Sequence, residues 1–312
     1  MSLAYVLVPN KLTDAMFTSS TLAEPASGEV LWNAATSYVV GDKVIRSQTH
    51  RIYENNTAGV NATAPELTLQ DTLPRWTDIG PTARWAAFDE LVNTASSTTN
   101  SLTYVLRLGM FNALAFYGLV GATLTVSIKN APGGTVVYTS TTDLIEPPMD
   151  YYDYYFGKIK QTDRLVLKNL VPYADPEITV TISAGTGAPV GIGMFVFGDL
   201  RGLLTAENTG GTQYGAQAKP TTYSYISTDA FGKSTIVPRV SSTDMEFNVF
   251  LPQGDTDGAL LTLQEVLAIP AAWIASDQAN YKGLNVFGLA SGTVIYESYN
   301  HSIMSIQVKG FI

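Results

Sequence analysis

Strict alternation of apolar and polar residues constrains this chain more than any other feature. In Thr123-Leu124-Thr125-Val126-Ser127-Ile128-Lys129, the apolar Leu124, Val126 and Ile128 fall on one side of an extended strand and the polar residues on the other, because successive strand side chains point to opposite faces. Ile178 to Ile182, Met245 to Val249 and Met304 to Lys309 repeat the pattern. Half-buried strands of this kind belong to antiparallel sheets with one wet face. Pro132-Gly133-Gly134, between Ile128 and Val136, reads as a hairpin turn.

Composition agrees. Charged residues are 14% of the 312-residue chain and hydrophobic residues 46%, against a usual charged share of roughly a quarter. Threonine, tyrosine, valine and glycine favour strands and tight turns over helices. A net charge of −9 disfavours nucleic acid and anionic membrane surfaces. The longest apolar run, Leu108 to Ile128, is broken by Asn112, Thr123, Thr125, Ser127 and glycines, so strand, turn, strand is expected rather than a membrane helix. Without cysteine, disulfides and thiolate metal sites are excluded. Met1 to Pro9 lacks a basic region and does not read as a secretory signal.

One helix is expected, at about 257–268. Thr256 or Asp257 would cap it, Leu260, Leu263, Val266 and Leu267 would form its buried stripe, and Ile269-Pro270 would end it. The reading is therefore a mainly β protein: a small β module inserted near the N-terminus plus two antiparallel β-sandwich-like domains with one or two short helices. The expected divisions are a lead segment at 1–30, the small module at 31–84, a β-sandwich domain at 85–200 and a second β-rich domain at 201–312. Within the lead segment a short strand (Ala4 to Val8), a helical turn near Asp14 to Phe17 and a linker at Glu24-Pro25 are expected. An aromatic-Gly-Leu theme at Phe116 to Leu119, Phe197 to Leu200 and Val286 to Leu289 reads either as two similar sandwich halves or as shared turn chemistry.

The chain offers little to a catalytic reading. His50 and His301 are its two histidines, and no G-x-S-x-G, H-E-x-x-H or phosphate-loop motif occurs. Both histidines are expected to be solvated turn residues. Asp255-Thr256-Asp257-Gly258 lacks the remaining ligands of a calcium loop. Gly191-Ile192-Gly193 continues as a strand and is not a nucleotide fingerprint. No metal, no cofactor and no enzyme activity are expected. Asp150-Tyr151-Tyr152-Asp153-Tyr154-Tyr155-Phe156 is the densest aromatic patch. It reads as a strand pair with one tyrosine row buried and the other at a seam, or as a surface that stacks on sugar or binds a partner.

Two resemblances bear on function. Trp32, Tyr38, Gly41-Asp42, Val44, Tyr53, Gly59, Pro65 and Trp76 to Gly80 follow an order that resembles the small chitin-binding-type carbohydrate-binding module of chitinases and cellulases. That resemblance nominates Trp32, Tyr38, Tyr53 and Trp76 as glycan-binding aromatics, although these positions mostly build the small core. Glycan-binding members place further exposed aromatics just after the central tyrosine, and the corresponding positions near Thr57 and Ala58 carry none.

The remainder resembles tail-tip or baseplate proteins of tailed bacteriophages, through Arg84-Trp85-Ala86-Ala87-Phe88-Asp89, Phe111 to Ala115, Tyr151 to Phe156 and Pro172 to Val180. This resemblance implies a virion structural protein, folded in the host cytoplasm and arranged in a symmetric ring or collar. Its partners would be copies of itself and other tail proteins, with Tyr151, Tyr152, Tyr154 and Tyr155 at an interface or glycan patch and host surface polysaccharide as a further contact. The alternatives are a glycan-binding adhesin or tail-fibre component and, ranked last, a polysaccharide depolymerase.

Overall fold

A computed structural model of the chain describes residues 2–91, 94–158, 160–205, 210–276, 278 and 281–311. It is mainly β and its named strand pairs are antiparallel. A five-stranded sheet runs in the order Val136–Asp143, Thr123–Lys129, Glu177–Ser183, Ser101–Arg107, Phe17–Ser20. Burial alternates residue by residue along Thr123–Lys129 and Glu177–Ser183, as their sequences dictate. The buried rows, including Leu124, Val126, Ile128, Ile178, Val180 and Ile182, face Leu114, Phe116, Phe195 and Phe197 of a second sheet. The two sheets form a sandwich whose core includes a stacked Phe116–Phe195 pair with ring centroids 4.6 Å apart.

That second sheet has 11 strands and extends well beyond the sandwich. Its long strand Pro189–Gly202 is buried along most of its length because both faces are covered, which is why Val190 to Phe197 does not alternate. Tyr5–Pro9 lies between Pro189–Gly202 and Ala271–Ile274. The strand expected near the N-terminus is thus an interior member of the large sheet, with Val6 and Leu7 fully buried. Residues of both 85–200 and 201–312 share this one sheet. Beyond Tyr5–Pro9, the strands Asn285–Ile295, His301–Gly310 and Ser241–Pro252 pack beneath helix Gln253–Val266.

The helix begins four residues before the expected start. Pro252 occupies the N-cap, and the Thr256 hydroxyl, instead of capping, lies against the Pro252 carbonyl at 3.2 Å and Ser302 Oγ at 3.3 Å. Ala259, Leu263 and Val266 face the sheet, while Leu267 is exposed. The aromatic-Gly-Leu theme has a physical cause at each of its three places, and Gly118 holds φ at +63°. A Cβ on Gly198 would collide with the Val8 carbonyl, and one on Gly288 with the Lys309 carbonyl. Both glycines sit inside strands where a neighbouring backbone passes too close for any side chain.

The small module is a three-stranded sheet, Lys43–Arg46, Arg51–Asn55 and Trp76–Pro81, with the short pair Ser37–Tyr38 and Gly59–Val60 beside it. Its Gly-Asp turn follows from local chemistry. Gly41 holds φ at +90°, and the Asp42 carboxylate accepts the Val39 N–H at 2.8 Å. Asn55 then locks the turn from behind, donating its side-chain amide to Val39 O and Thr57 O.

Candidate functional site

The four aromatics nominated for glycan binding are not a binding face. Tyr38, Tyr53 and Trp76 are closed to solvent and pack with Val44 as the module's own core, Trp76 at 0% exposure and edge-on to Tyr38 at 5.2 Å. Trp32 packs against that core and carries the Arg46 guanidinium over its ring at 4.8 Å. A sugar ring stacks on an open aromatic face, and three of these rings have none. The aromatic spacing of the motif thus encodes a core. Burial also pushes the Tyr53 phenol up from its usual value of 10.0, against its hydrogen bond with Thr49.

His50 is not a free turn residue either. It sits at φ 54°, in a turn, but its ring is packed. Nδ1 meets the Glu24 carboxylate at 2.9 Å, Nε2 meets Asp14 at 3.1 Å, and the ring stacks on Trp85 with centroids 4.0 Å apart. Glu24 lies at the centre. Its side chain is 5% exposed and also accepts the Thr82 hydroxyl at 2.8 Å and the Trp85 indole N–H at 3.2 Å. Glu29 adds a second tie, accepting Ala26 N–H and Ala83 N–H. The Glu24-Pro25 linker and the segment Thr82 to Trp85 are the two chains that connect the module to the body, so these carboxylates fasten both connections together.

Sequence reasoning missed Glu24, Asp14 and Thr82. Each is unremarkable in sequence, and only the fold brings them to one point. Both nitrogens of His50 face carboxylates, so neither is free to activate a hydroxyl. Phe17 also stacks on Trp85, with centroids 5.1 Å apart. A cleft of about 520 Å³ beside this node is lined by Lys11, Asp14, His50, Arg51, Phe88 and Asp89, among others. Burial pushes the Asp89 carboxyl up, but the group serves a turn: it accepts Leu91 N–H and the Thr94 hydroxyl. His301, expected in a turn, opens the strand His301–Gly310 with its ring stacked on Phe250 at 4.9 Å. Among the described residues no group of three or more His, Asp or Glu is gathered to hold a metal ion, and no helix is long and apolar enough to cross a membrane.

The aromatic patch forms neither of the expected strands. Tyr151–Phe156 is a short α-helix, started by Asp150, whose carboxylate accepts the Asp153 N–H at 2.7 Å. A strand would have buried every second ring. Here the Asp150 cap starts a helix that forms a knob on which all four tyrosines and Phe156 are exposed, Tyr151 at 87%. The rings touch one another, as in the Tyr154–Tyr155 edge contact at 5.0 Å.

A second exposed element was not anticipated. The paired strands Gln217–Thr222 and Ser241–Pro252 at the border of the large sheet continue outward as a hairpin, residues 223–240. Its strands Tyr225–Thr228 and Ser234–Val237 are exposed throughout. This arm holds its shape by its own backbone pairs and by Asp229, whose carboxylate accepts the N–H groups of Phe231 and Lys233 across the turn. Phe231 at the tip is 96% exposed. The signal in the sequence is a break in alternation: Tyr225-Ile226 and Ile236-Val237 put apolar side chains on both faces of one hairpin.

No family model matches the chain, and no curated protein matches it. Solved structures with a slight likeness include a V110M mutant of chitosan-binding module 1 from a chitosanase/glucanase of Paenibacillus sp. IK-5, at 13% identity and a TM-score of 0.24 over 38% of this chain and 84% of that one. A fucose-binding module of Streptococcus pneumoniae, SpX-3, reaches 10% identity and 0.26 over 37% and 83%. Reduced XRCC1, solved bound to the DNA polymerase beta catalytic domain, reaches 12% and 0.24 over 53% and 97%.

Proposed function

We propose that this protein is a structural component that works by assembly, joining copies of itself and neighbouring proteins through exposed β elements and without a catalytic centre. The arm carries this reading. An isolated two-stranded hairpin is marginal in water, and exposed apolar residues on both of its faces mark a surface for contact with another molecule. The finer reading is a tail-tip or baseplate protein of a tailed-bacteriophage virion, folded in the host cytoplasm and arranged as a ring or collar. Its support is the resemblance of the strings at Arg84 to Asp89, Phe111 to Ala115, Tyr151 to Phe156 and Pro172 to Val180. Electron microscopy of the purified protein and of the source virion tests both levels. A ring or a collar-like density is expected. A protein that stays single at high concentration, with no copies in purified virions, overturns them.

A second reading, contact with host surface polysaccharide, rests on the knob. Its tyrosine rings have open faces, unlike Tyr38, Tyr53 and Trp76, and open tyrosine faces suit both sugar stacking and protein contact. Binding to an envelope-polysaccharide array that is lost in Tyr152→Ala and Tyr155→Ala supports it. Retention on no polysaccharide removes it.

A further inference from the structure

We propose that the arm of one copy adds as a strand to the sheet edge Val136–Asp143 of a second copy of this chain. The inference rests on the assembly reading above and specifies its partner surface.

Sheet borders carry unpaired N–H and C=O groups, and proteins that remain monomeric block them with short strands, bulges, lysine or proline. Three borders here are blocked in this way. Phe17–Ser20 is short and has a register shift between Phe17 and Ser19. Arg164–Leu167 is four residues long and begins with a charge. Gln217–Thr222 contains Lys219 and Pro220. Val136–Asp143 has a single register shift, at its start opposite Ile128 and Lys129, and from Tyr138 to Asp143 it pairs without a break and carries no lysine or proline. It is eight residues long, its only charge is the terminal Asp143, and among the described residues its outer side pairs with no strand.

The edge and the arm also match in side chains. Val136, Val137 and Tyr138 are consecutive apolar residues, with both valines exposed and Tyr138 packed at the rim of the sandwich core. The bulged start of the edge therefore offers exposed apolar surface beside the core rim, and the arm brings apolar side chains on both of its faces. Strand addition pairs the open backbone groups of both and lets alternate side chains extend the core and its outer cover. The arm strands Tyr225–Thr228 and Ser234–Val237 contain no charged residue, so none is desolvated by pairing.

Area supports a copy of the chain as the occupant. Seven large apolar side chains are exposed between Tyr223 and Val240, leaving on the order of 800 Å² open, about what each partner contributes to a standard stable interface. Arm and edge are different surfaces, so the contact is heterologous and repeats around a ring or along a filament. The knob follows the edge strand closely in sequence, Tyr151 coming eight residues after Asp143.

The absence of cysteine permits a direct test. Ser227→Cys in the arm and Thr139→Cys on the edge, both exposed positions, are oxidised separately and as a mixture. Disulfide-linked dimers in the mixture and none in either variant alone are expected. Links formed by Ser227→Cys alone would mean that arms meet arms, and no link in the mixture would mean that arm and edge never meet; either overturns the proposal. In parallel, Thr139→Lys and a chain with residues 224–239 replaced by Gly-Gly are compared with the unaltered protein by light scattering, with circular dichroism as the check on folding. Both variants are expected to fall to the mass of a single chain. If the unaltered protein is itself a single chain at high concentration, the assembly reading fails along with this one. If it assembles and both folded variants assemble equally well, assembly stands and this docking alone is wrong.

Discussion

The small module and the arm are both minor β units attached to the same body, and they solve the problem of stability in opposite ways. The module buries Tyr38, Tyr53 and Trp76 against Val44 and closes its main turn with Gly41, Asp42 and Asn55. The arm has a comparable supply of large side chains, yet Tyr225, Ile226, Phe231, Ile236 and Val237 all face solvent. A short β unit gains much stability from within only if some rings can turn their backs on water. The module can be self-contained because its strands fold over one another. The arm is one flat pair, whose two faces can be covered only from outside.

The sharpest way to break this contrast is to empty the module. Trp76→Ala removes the largest member of a core of four buried residues and should cost about 3–5 kcal/mol. Hydrogen exchange should then show the module opening while the Phe116–Phe195 sandwich stays protected. Protection retained in the module would mean that its order comes from the body and not from its own rings.

Alkali gives the next largest effect. Burial pushes the Tyr104 phenol from 10.0 up to about 12, and it donates to the Arg84 carbonyl at 2.9 Å; burial raises Tyr53 as well. A folded-state value above the unfolded one contributes stability that is complete below the unfolded value of 10.0 and lost as pH rises through the folded value. For Tyr104 the loss between those limits is about 2–3 kcal/mol. Phenolate absorbance should therefore lag behind free tyrosine above pH 10 for the buried rings, and Tyr104→Phe should flatten the alkaline fall in denaturation midpoint. An alkaline fall as steep in Tyr104→Phe as in the unaltered protein would reject the assignment.

How much of this was legible in the sequence depended on whether a pattern reports local or distant geometry. Alternation at Thr123 to Lys129 and Ile178 to Ile182 is local, and it located strands and their buried rows correctly. The motif from Trp32 to Trp76 marked a compact unit, but its rings proved to be core because spacing alone cannot say which way a ring faces. Tyr151 to Phe156 has strand-forming residues and still folds as a helix, since Asp150 and Asp153 supply the cap and no neighbouring strand competes for the backbone. The Glu24 node was illegible for another reason: Asp14, Glu24, His50, Thr82 and Trp85 lie far apart in sequence, and burial of a carboxylate is invisible until its donors converge.

That node determines whether the module is a rigid or a swinging appendage. Glu24→Ala leaves His50, the Thr82 hydroxyl and the Trp85 indole N–H without their acceptor and should cost about 1–3 kcal/mol. Limited proteolysis should then cut near residues 24–29 and 82–85 before the module's own strands. Equal resistance in the variant and the unaltered protein would show that the two connections are held by something other than this carboxylate.

The smallest effect is the most telling for the arm. Ile226→Ala removes a large apolar side chain that touches nothing buried in the single chain, so dilute, unassembled protein should change by no more than about 0.5 kcal/mol, whereas Trp76→Ala should remove most of the module's stability. At concentrations where the protein assembles, the same Ile226→Ala should lower the apparent stability relative to the unaltered protein, because stabilisation by association scales with occupancy of the interface. Denaturation midpoints at a low and a high protein concentration separate the two cases. A loss of several kcal/mol already present in dilute protein would show that the arm has an internal packing role and that the contrast with the module is false.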